Sequence, residues 1–182
     1  PDVRADGSAV RAPTRMMAAM TTMTATINPT RLELPVEMLE RFRSRAGELD
    51  GTNTYFHEDL AELREIGYLA AAVPLEFGGA GMSLSELAAS QRRLARYAPA
   101  TALAMTMHSY WIGIAKELEA AGDSSLRWIL DAAVDGHVFA AGHAETGNDI
   151  PVLLSTCRAE RVDGGYQLTG HKQFGSNGPQ LG

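Results

Sequence analysis

Apolar side chains recur every three or four residues from Leu34 to about Gly136, and beyond His137 the spacing shortens towards two. The first period belongs to amphipathic helices and the second to strands. Pro35 suits a first helical turn, and Val36, Leu39 and Phe42 or Arg43 follow at helical spacing until Gly47 and Gly51, which predicts a first helix over 35–47. Leu60, Leu63 and Ile66 share one face of a second helix over 58–66, with Gly67 where a left-handed C-terminal residue is wanted. The segment 71–82 packs three glycines and a proline together and predicts an irregular but packed loop. Ser83 and Glu86 make a capping-box pair ahead of a third helix, with Leu84, Leu87, Ala88, Gln91, Leu94 and Ala95 on one stripe and an end near Tyr97. Pro99 opens a long fourth helix that is apolar nearly all round, through Leu103, Met105, Met107, Tyr110, Trp111, Ile114 and Leu118, the pattern of a helix central to a bundle. After Gly122, Asp123 or Ser124 can cap a short fifth helix marked by Leu126, Ile129, Leu130 and Ala133 and stopped by Gly136.

Beyond that point Val138 to Gly142 is a short apolar run, and Leu154 to Val162 alternates, with Ser155, Cys157 and Ala159 on one face and Thr156, Arg158 and Glu160 on the other. Asp163-Gly164 signals a hairpin, Tyr166–Leu168 returns as its partner, and Lys172–Phe174 reads as a third strand. So few strands cannot bury both faces of a sheet. The predicted class is α+β, an all-α helical bundle followed by the start of an antiparallel β-domain. The predicted organisation is a disordered leader over 1–33, a helical domain over 34–136 and an incomplete β-domain over 137–182, whose unpaired edges would leave it loosely ordered.

Composition narrows the function classes. With 22 acidic against 16 basic residues the formal charge is −6, and the basic residues are scattered, so no nucleic-acid or anionic-membrane partner is expected. No run approaches the ~20 apolar residues of a membrane span. The single cysteine, Cys157, excludes an internal disulfide framework and a multi-cysteine metal site; it fits a reducing, cytoplasmic setting and is expected to be reduced and partly buried. The first thirty residues carry Arg4, Arg11 and Arg15 without a signal-type apolar stretch, and Asp2 and Asp6 weaken a presequence reading. His143 and Glu145 form a His-x-Glu pair, but no Cys-x-x-Cys follows, so no metal site is expected. Gly78-Gly79-Ala80-Gly81 lacks the Lys-Ser/Thr of a phosphate loop and reads as a packed turn. Met105, Met107 and His108 read as core, and Trp111 and Trp128 as packing residues.

Three segments then stand in a distinctive order: Val73-Pro-Leu-Glu-Phe-Gly-Gly-Ala-Gly81, Ala141 to Asp149, and Gly170-His-Lys-Gln-Phe-Gly-Ser-Asn177. Together they resemble the acyl-CoA dehydrogenase family, over about Leu34 to Pro179. The first is similar to the glycine-rich loop of the family's N-terminal helical domain, and the others to its Thr-Glu-Pro…Gly-Ser-Asp and Gly-x-Lys-x-Trp-Ile-Thr-Asn segments, where the middle β-domain begins. The resemblance implies FAD as cofactor. It places Ala141, Gly142, His143, Ala144, Glu145 and Thr146 at the pyrimidine edge of the ring, Phe174 where the family has its ring-covering tryptophan, and Gly175 and Ser176 beside it, with the Ser176 hydroxyl near N5. It also places Asn148 where the family has a substrate-contacting serine. The chain departs from the family in having Ala144 for a flavin-contacting threonine and a shorter loop before Asp149. Without the resemblance, Phe174 is a strand residue in a core.

The activity implied is α,β-dehydrogenation of an acyl-CoA thioester, with reoxidation by an electron-transfer partner in a homo-oligomeric parent. The family's base is a glutamate of a C-terminal helical domain, so no residue of this chain is assigned as catalytic, and the chain, ending at Gly182, is expected to be colourless and inactive alone. Ala144 and the short loop keep open a flavin-dependent monooxygenase on the same scaffold, and a non-catalytic fragment or interaction module is the third reading.

Overall fold

The structure is a computed structural model that describes residues 32–145 and 155–180. The leader expected over 1–33 lies outside the described residues except for its last two positions. Five helices come first: α1 (Val36–Thr52), α2 (His57–Glu65), α3 (Leu84–Ala95), α4 (Pro99–Ala120) and α5 (Arg127–Val134); strands β1 (Arg158–Val162) and β2 (Gly165–Thr169) follow. The fold is the expected one, a helical unit followed by a small two-stranded antiparallel sheet. No described helix is long and apolar enough to cross a membrane.

α1 runs past the expected stop at 47 because Gly47 and Gly51 both lie on its exposed side, where glycine costs about 1 kcal/mol each. Leu49, between them, packs against the core and holds the turn helical. Asn53 ends the helix instead, in the left-handed conformation (φ 50°) with its N–H on the Asp50 carbonyl. α2 carries a buried carboxylate that patterning did not suggest. Asp59 is 1% exposed and accepts from Arg45 Nε at 2.9 Å and Nη2 at 2.7 Å and from the Thr101 hydroxyl at 2.8 Å, which ties α1, α2 and α4 together. Gly67 takes the left-handed conformation after α2, as its place in the sequence implies (φ 77°).

The glycine-rich segment is packed as expected. The amides of Ala80, Gly81 and Met82 bond back to the carbonyls of Ala70, Val73 and Ala71, and a Cβ on Gly79 would overlap the Val73 backbone. The Ser83 hydroxyl accepts from the Glu86 amide while Glu86 accepts the Ser83 N–H, so the capping box is present. The stripe it opens is narrower than its periodicity suggested: Leu87 and Leu94 are buried, but Leu84 is 82% exposed because the first turn has no neighbour over it.

α4 also differs from a helix buried all round. Its buried residues, Thr101, Ala102, Ala104, Met105, His108, Ile112 and Ala115, form one face of largely small side chains against α3 and α5, while Leu103 is 69% exposed on the other side. The Asp123 carboxylate accepts the Ser125 amide at the start of the 3₁₀ turn leading into α5, and left-handed Gly136 (φ 85°) ends that helix.

The hairpin pairs Arg158 with Thr169 through Val162 with Gly165, and left-handed Gly164 (φ 82°) turns the chain. Every residue of both strands is exposed, so the alternation read from the sequence separates two solvated faces rather than core from surface. Cys157, just before β1, is a half-buried free thiol. Lys172–Phe174 is not a third strand. It contributes one isolated bridge, Ala144 to Gln173, because Phe174 adopts a left-handed conformation (φ 55°) that an extended run cannot accommodate.

Candidate functional site

Helix α4 organises the segment that leaves the bundle. The Arg64 Nε donates to the Gly136 carbonyl at 2.9 Å where α5 ends. Three residues on, His108 joins the α2–α3 connection to this segment at Phe139. Its Nε2–H donates to the Leu69 carbonyl at 2.8 Å, and its Nδ1 accepts the Phe139 amide at 3.2 Å. That pair of bonds requires the neutral ring, and burial pushes its pKa down while the Leu69 carbonyl opposes the shift. His108 is therefore a core residue, as expected, with both ring nitrogens engaged. One helical turn later the Trp111 indole N–H donates to the Ala140 carbonyl at 3.1 Å, and its ring stacks on His143 at 5.6 Å.

The backbone then reaches the residues singled out in the sequence. Ala141 is buried, Gly142 and His143 are exposed, Ala144 is half-buried and Glu145 is buried. The Ala144 carbonyl accepts the Gln173 amide at 2.8 Å, and this bridge joins 141–145 to 173–176 although the two segments are far apart in sequence. The Glu145 carboxylate clamps the junction. It accepts the Thr156 amide at 2.7 Å, the hydroxyls of Ser155 and Thr156, and the ammonium of Lys172. Lys172 first, then the two hydroxyls and the amide, hold this carboxyl far below the usual carboxylate range. The side chain of Glu145 thus locks two segments, and only its backbone is available to a ligand.

Past the bridge, Phe174 projects with 81% of its surface exposed in a left-handed backbone conformation that is rare for a bulky residue. The core-strand reading of Phe174 is thereby set aside. Gly175 is exposed and Ser176 half-buried. The amides of Gly142 and His143 and the Ser176 hydroxyl have no hydrogen-bond partner among the described residues. The Ala144–Gln173 bridge thus brings the 141–145 backbone next to the turn that carries the exposed Phe174 ring and Ser176, and together they form a ledge beside the bundle. Thr146 and Asn148 lie outside the described residues.

Patterning missed Asn177 and Tyr55. The Asn177 side chain is buried against the bundle, and the Tyr55 hydroxyl donates to it at 3.0 Å. Burial also pushes the Tyr55 phenol up to about 12. The available signal was Asn177 itself, a turn-favouring residue at the end of the third motif. Among the described residues, no group of three or more His, Cys, Asp or Glu side chains is arranged to hold a metal ion.

The family model for the acyl-CoA dehydrogenase N-terminal domain matches residues 37–127. A mitochondrial isovaleryl-CoA dehydrogenase of Solanum tuberosum is 28% identical over 77% of this chain and 34% of its own length. A benzylmalonyl-CoA dehydrogenase of Aromatoleum aromaticum is 29% identical over 77% of this chain and 37% of its own. The X-ray structure of KijD3 in complex with dTDP superposes with a TM-score of 0.63 at 28% identity, covering 75% of this chain and 35% of that one. The chain spans about a third of the length of the curated relatives it matches.

Proposed function

The chain belongs to the acyl-CoA dehydrogenase family, and from that premise we propose that it carries part of the flavin site of an FAD-dependent enzyme that desaturates an acyl-CoA thioester. The observation that supports this reading is the Ala144–Gln173 bridge, which joins the 141–145 segment to the turn that carries the exposed Phe174 ring. In this reading a division near Gly136 separates a helical domain from the start of a β-domain.

When bound, the flavin supplies a two-electron acceptor for hydride taken from the acyl chain. Phe174 covers one face of its ring and excludes water there. The backbone of residues 141 to 146 would contact its polar edge, and the Ser176 hydroxyl would offer a hydrogen bond to the ring. Glu145 and Lys172 neutralise each other and keep both segments in place without adding net charge to the ledge. Asn148 orients the substrate. The base is assigned to no residue of this chain, and the cytoplasmic setting, the electron-transfer partner and a homo-oligomeric state belong to the same proposal.

A second reading has a specific observation behind it. The KijD3 structure holds dTDP, a nucleotide that is not a coenzyme A thioester, on a similar framework. With Ala144 and the short loop before Asp149, this favours a flavin-dependent monooxygenase acting on a non-CoA substrate as the alternative. Flavin-to-protein stoichiometry, followed by anaerobic addition of acyl-CoA thioesters, separates the two. Bleaching of bound flavin supports the dehydrogenase. Stoichiometric flavin that no acyl-CoA bleaches favours the monooxygenase, and a full-length parent protein that binds no flavin rejects both.

A further inference from the structure

Asn177 lies in the same short turn as Phe174 and Ser176, yet its side chain points the opposite way, into the helical bundle. The residue is 3% exposed and left-handed (φ 65°). Its amide nitrogen donates to the carbonyl of Ala104 in α4 at 3.0 Å and to that of Phe139 at 3.1 Å, and its oxygen accepts the hydroxyl of Tyr55, between α1 and α2, at 3.0 Å. Both amide hydrogens are used, on partners 73 and 38 residues away, and the Tyr55 partner is 122 residues away. The turn is tight, with the Ser176 amide on the Phe174 carbonyl and the Gly178 amide on the Gly175 carbonyl, each at 2.9 Å. The buried carboxamide and the exposed ring are therefore two ends of one short, internally bonded unit.

We propose that Asn177 is a positioning residue for the flavin, its carboxamide fixing the Phe174–Ser176 turn against Tyr55, Ala104 and Phe139 and so setting where the ring cover and the hydroxyl stand. The proposal rests on the reading above that Phe174 and Ser176 meet the flavin. Aspartate has the same shape but cannot replace it, because its carboxylate would face two carbonyl oxygens with no hydrogen to offer either. Tyr55→Phe is the milder change, removing one bond and leaving the two amide bonds in place.

The test is made on the full-length parent protein, by titrating FAD into its flavin-free form and by measuring amide exchange in the flavin-free state, with far-ultraviolet circular dichroism as a check on the helices. Asn177→Asp is expected to speed exchange at Ser176 and Gly178 and to weaken FAD binding about tenfold or more, and Tyr55→Phe to weaken it about two- to tenfold. Helical dichroism stays unchanged, and the visible dichroism of bound flavin shifts, which a merely destabilised bundle does not produce. Should Asn177→Asp not fold, Tyr55→Phe decides. Wild type that binds FAD, beside Tyr55→Phe that binds it as tightly with unchanged exchange, overturns the proposal. Wild type that binds no FAD overturns the flavin reading and the proposal with it, and that outcome is distinguishable because it does not depend on either variant.

Discussion

The helical unit and the hairpin are held by different physics. In the bundle, Leu39, Phe42, Leu63 and Leu130 are fully buried, so removal of apolar surface from water dominates there. In the hairpin every residue is exposed, and Val162, Tyr166 and Leu168 present apolar surface to solvent. Glu145–Lys172 and Ala144–Gln173 tie that part of the chain to the 138–145 segment, which meets the bundle through His108, Trp111 and the packing of Val138 and Phe139, while the Asn177 carboxamide reaches α4 directly. The ledge with Phe174 lies between the two, backed by the bundle and reached through polar ties. A ligand surface there can be well placed without belonging to a core.

The largest effects should fall in the bundle. Phe42→Ala is expected to cost about 3–5 kcal/mol by emptying a core site, and Asp59→Ala about 1–3 kcal/mol, since the buried Thr101 hydroxyl loses its acceptor while Arg45 keeps Glu62 and Glu58. Leu168→Ala in β2 should fall within about 0.5 kcal/mol of wild type. Urea unfolding of the three variants checks this, and an equal cost in β2 would break the comparison. Next in size is Gly79→Ala, expected to cost about 1–3 kcal/mol because the added methyl overlaps the Val73 backbone. Thermal unfolding close to wild type would contradict the close packing of the glycine-rich turn.

A smaller effect is confined to the junction and depends on pH. Lys172 and the hydroxyls lower the Glu145 carboxyl from its ordinary value near 4.5, and Glu145 in turn raises Lys172 from 10.5. A lowered carboxylate contributes stability that is complete above its ordinary value and is lost as pH falls through the folded one. A raised ammonium contributes stability that is complete below its ordinary value and is lost as pH rises through the folded one. The junction should therefore be constant between about 4.5 and 10.5 and open only outside that window. The amide proton resonance of Thr156, which reports its bond to Glu145, should move only below the ordinary carboxylate range, and Glu145→Gln should abolish that titration. Movement already at neutral pH would contradict the clamp.

Features set by local chemistry were legible in the chain. Ser83 and Glu86 announce their capping box, Gly67 and Gly136 their left-handed helix ends, and Asp163-Gly164 its hairpin, because each needs only near neighbours. Features set by distant partners were not. A period of 3.6 shows that Leu84 and Leu103 could share an apolar face but not whether anything covers it. Gly47 and Gly51 looked like a helix end because the packing of Leu49 lies outside any local window. Phe174 looked extended until its left-handed backbone turned it outward. Bringing Ala141–Glu145 next to Gln173–Ser176 was expected only from the family resemblance. The Asn177 contacts, made to Tyr55, Ala104 and Phe139, leave no periodic trace.

The most direct test is FAD titration into the flavin-free full-length parent protein for wild type, Phe174→Ala and Leu168→Ala side by side. The two residues are both exposed and apolar, at 81% and 75%, but only Phe174 stands on the ledge. Phe174→Ala is expected to weaken FAD binding about tenfold, roughly the worth of one ring contact, with Leu168→Ala indistinguishable from wild type. Equal affinity for all three would place the flavin elsewhere and contradict the ledge as its site.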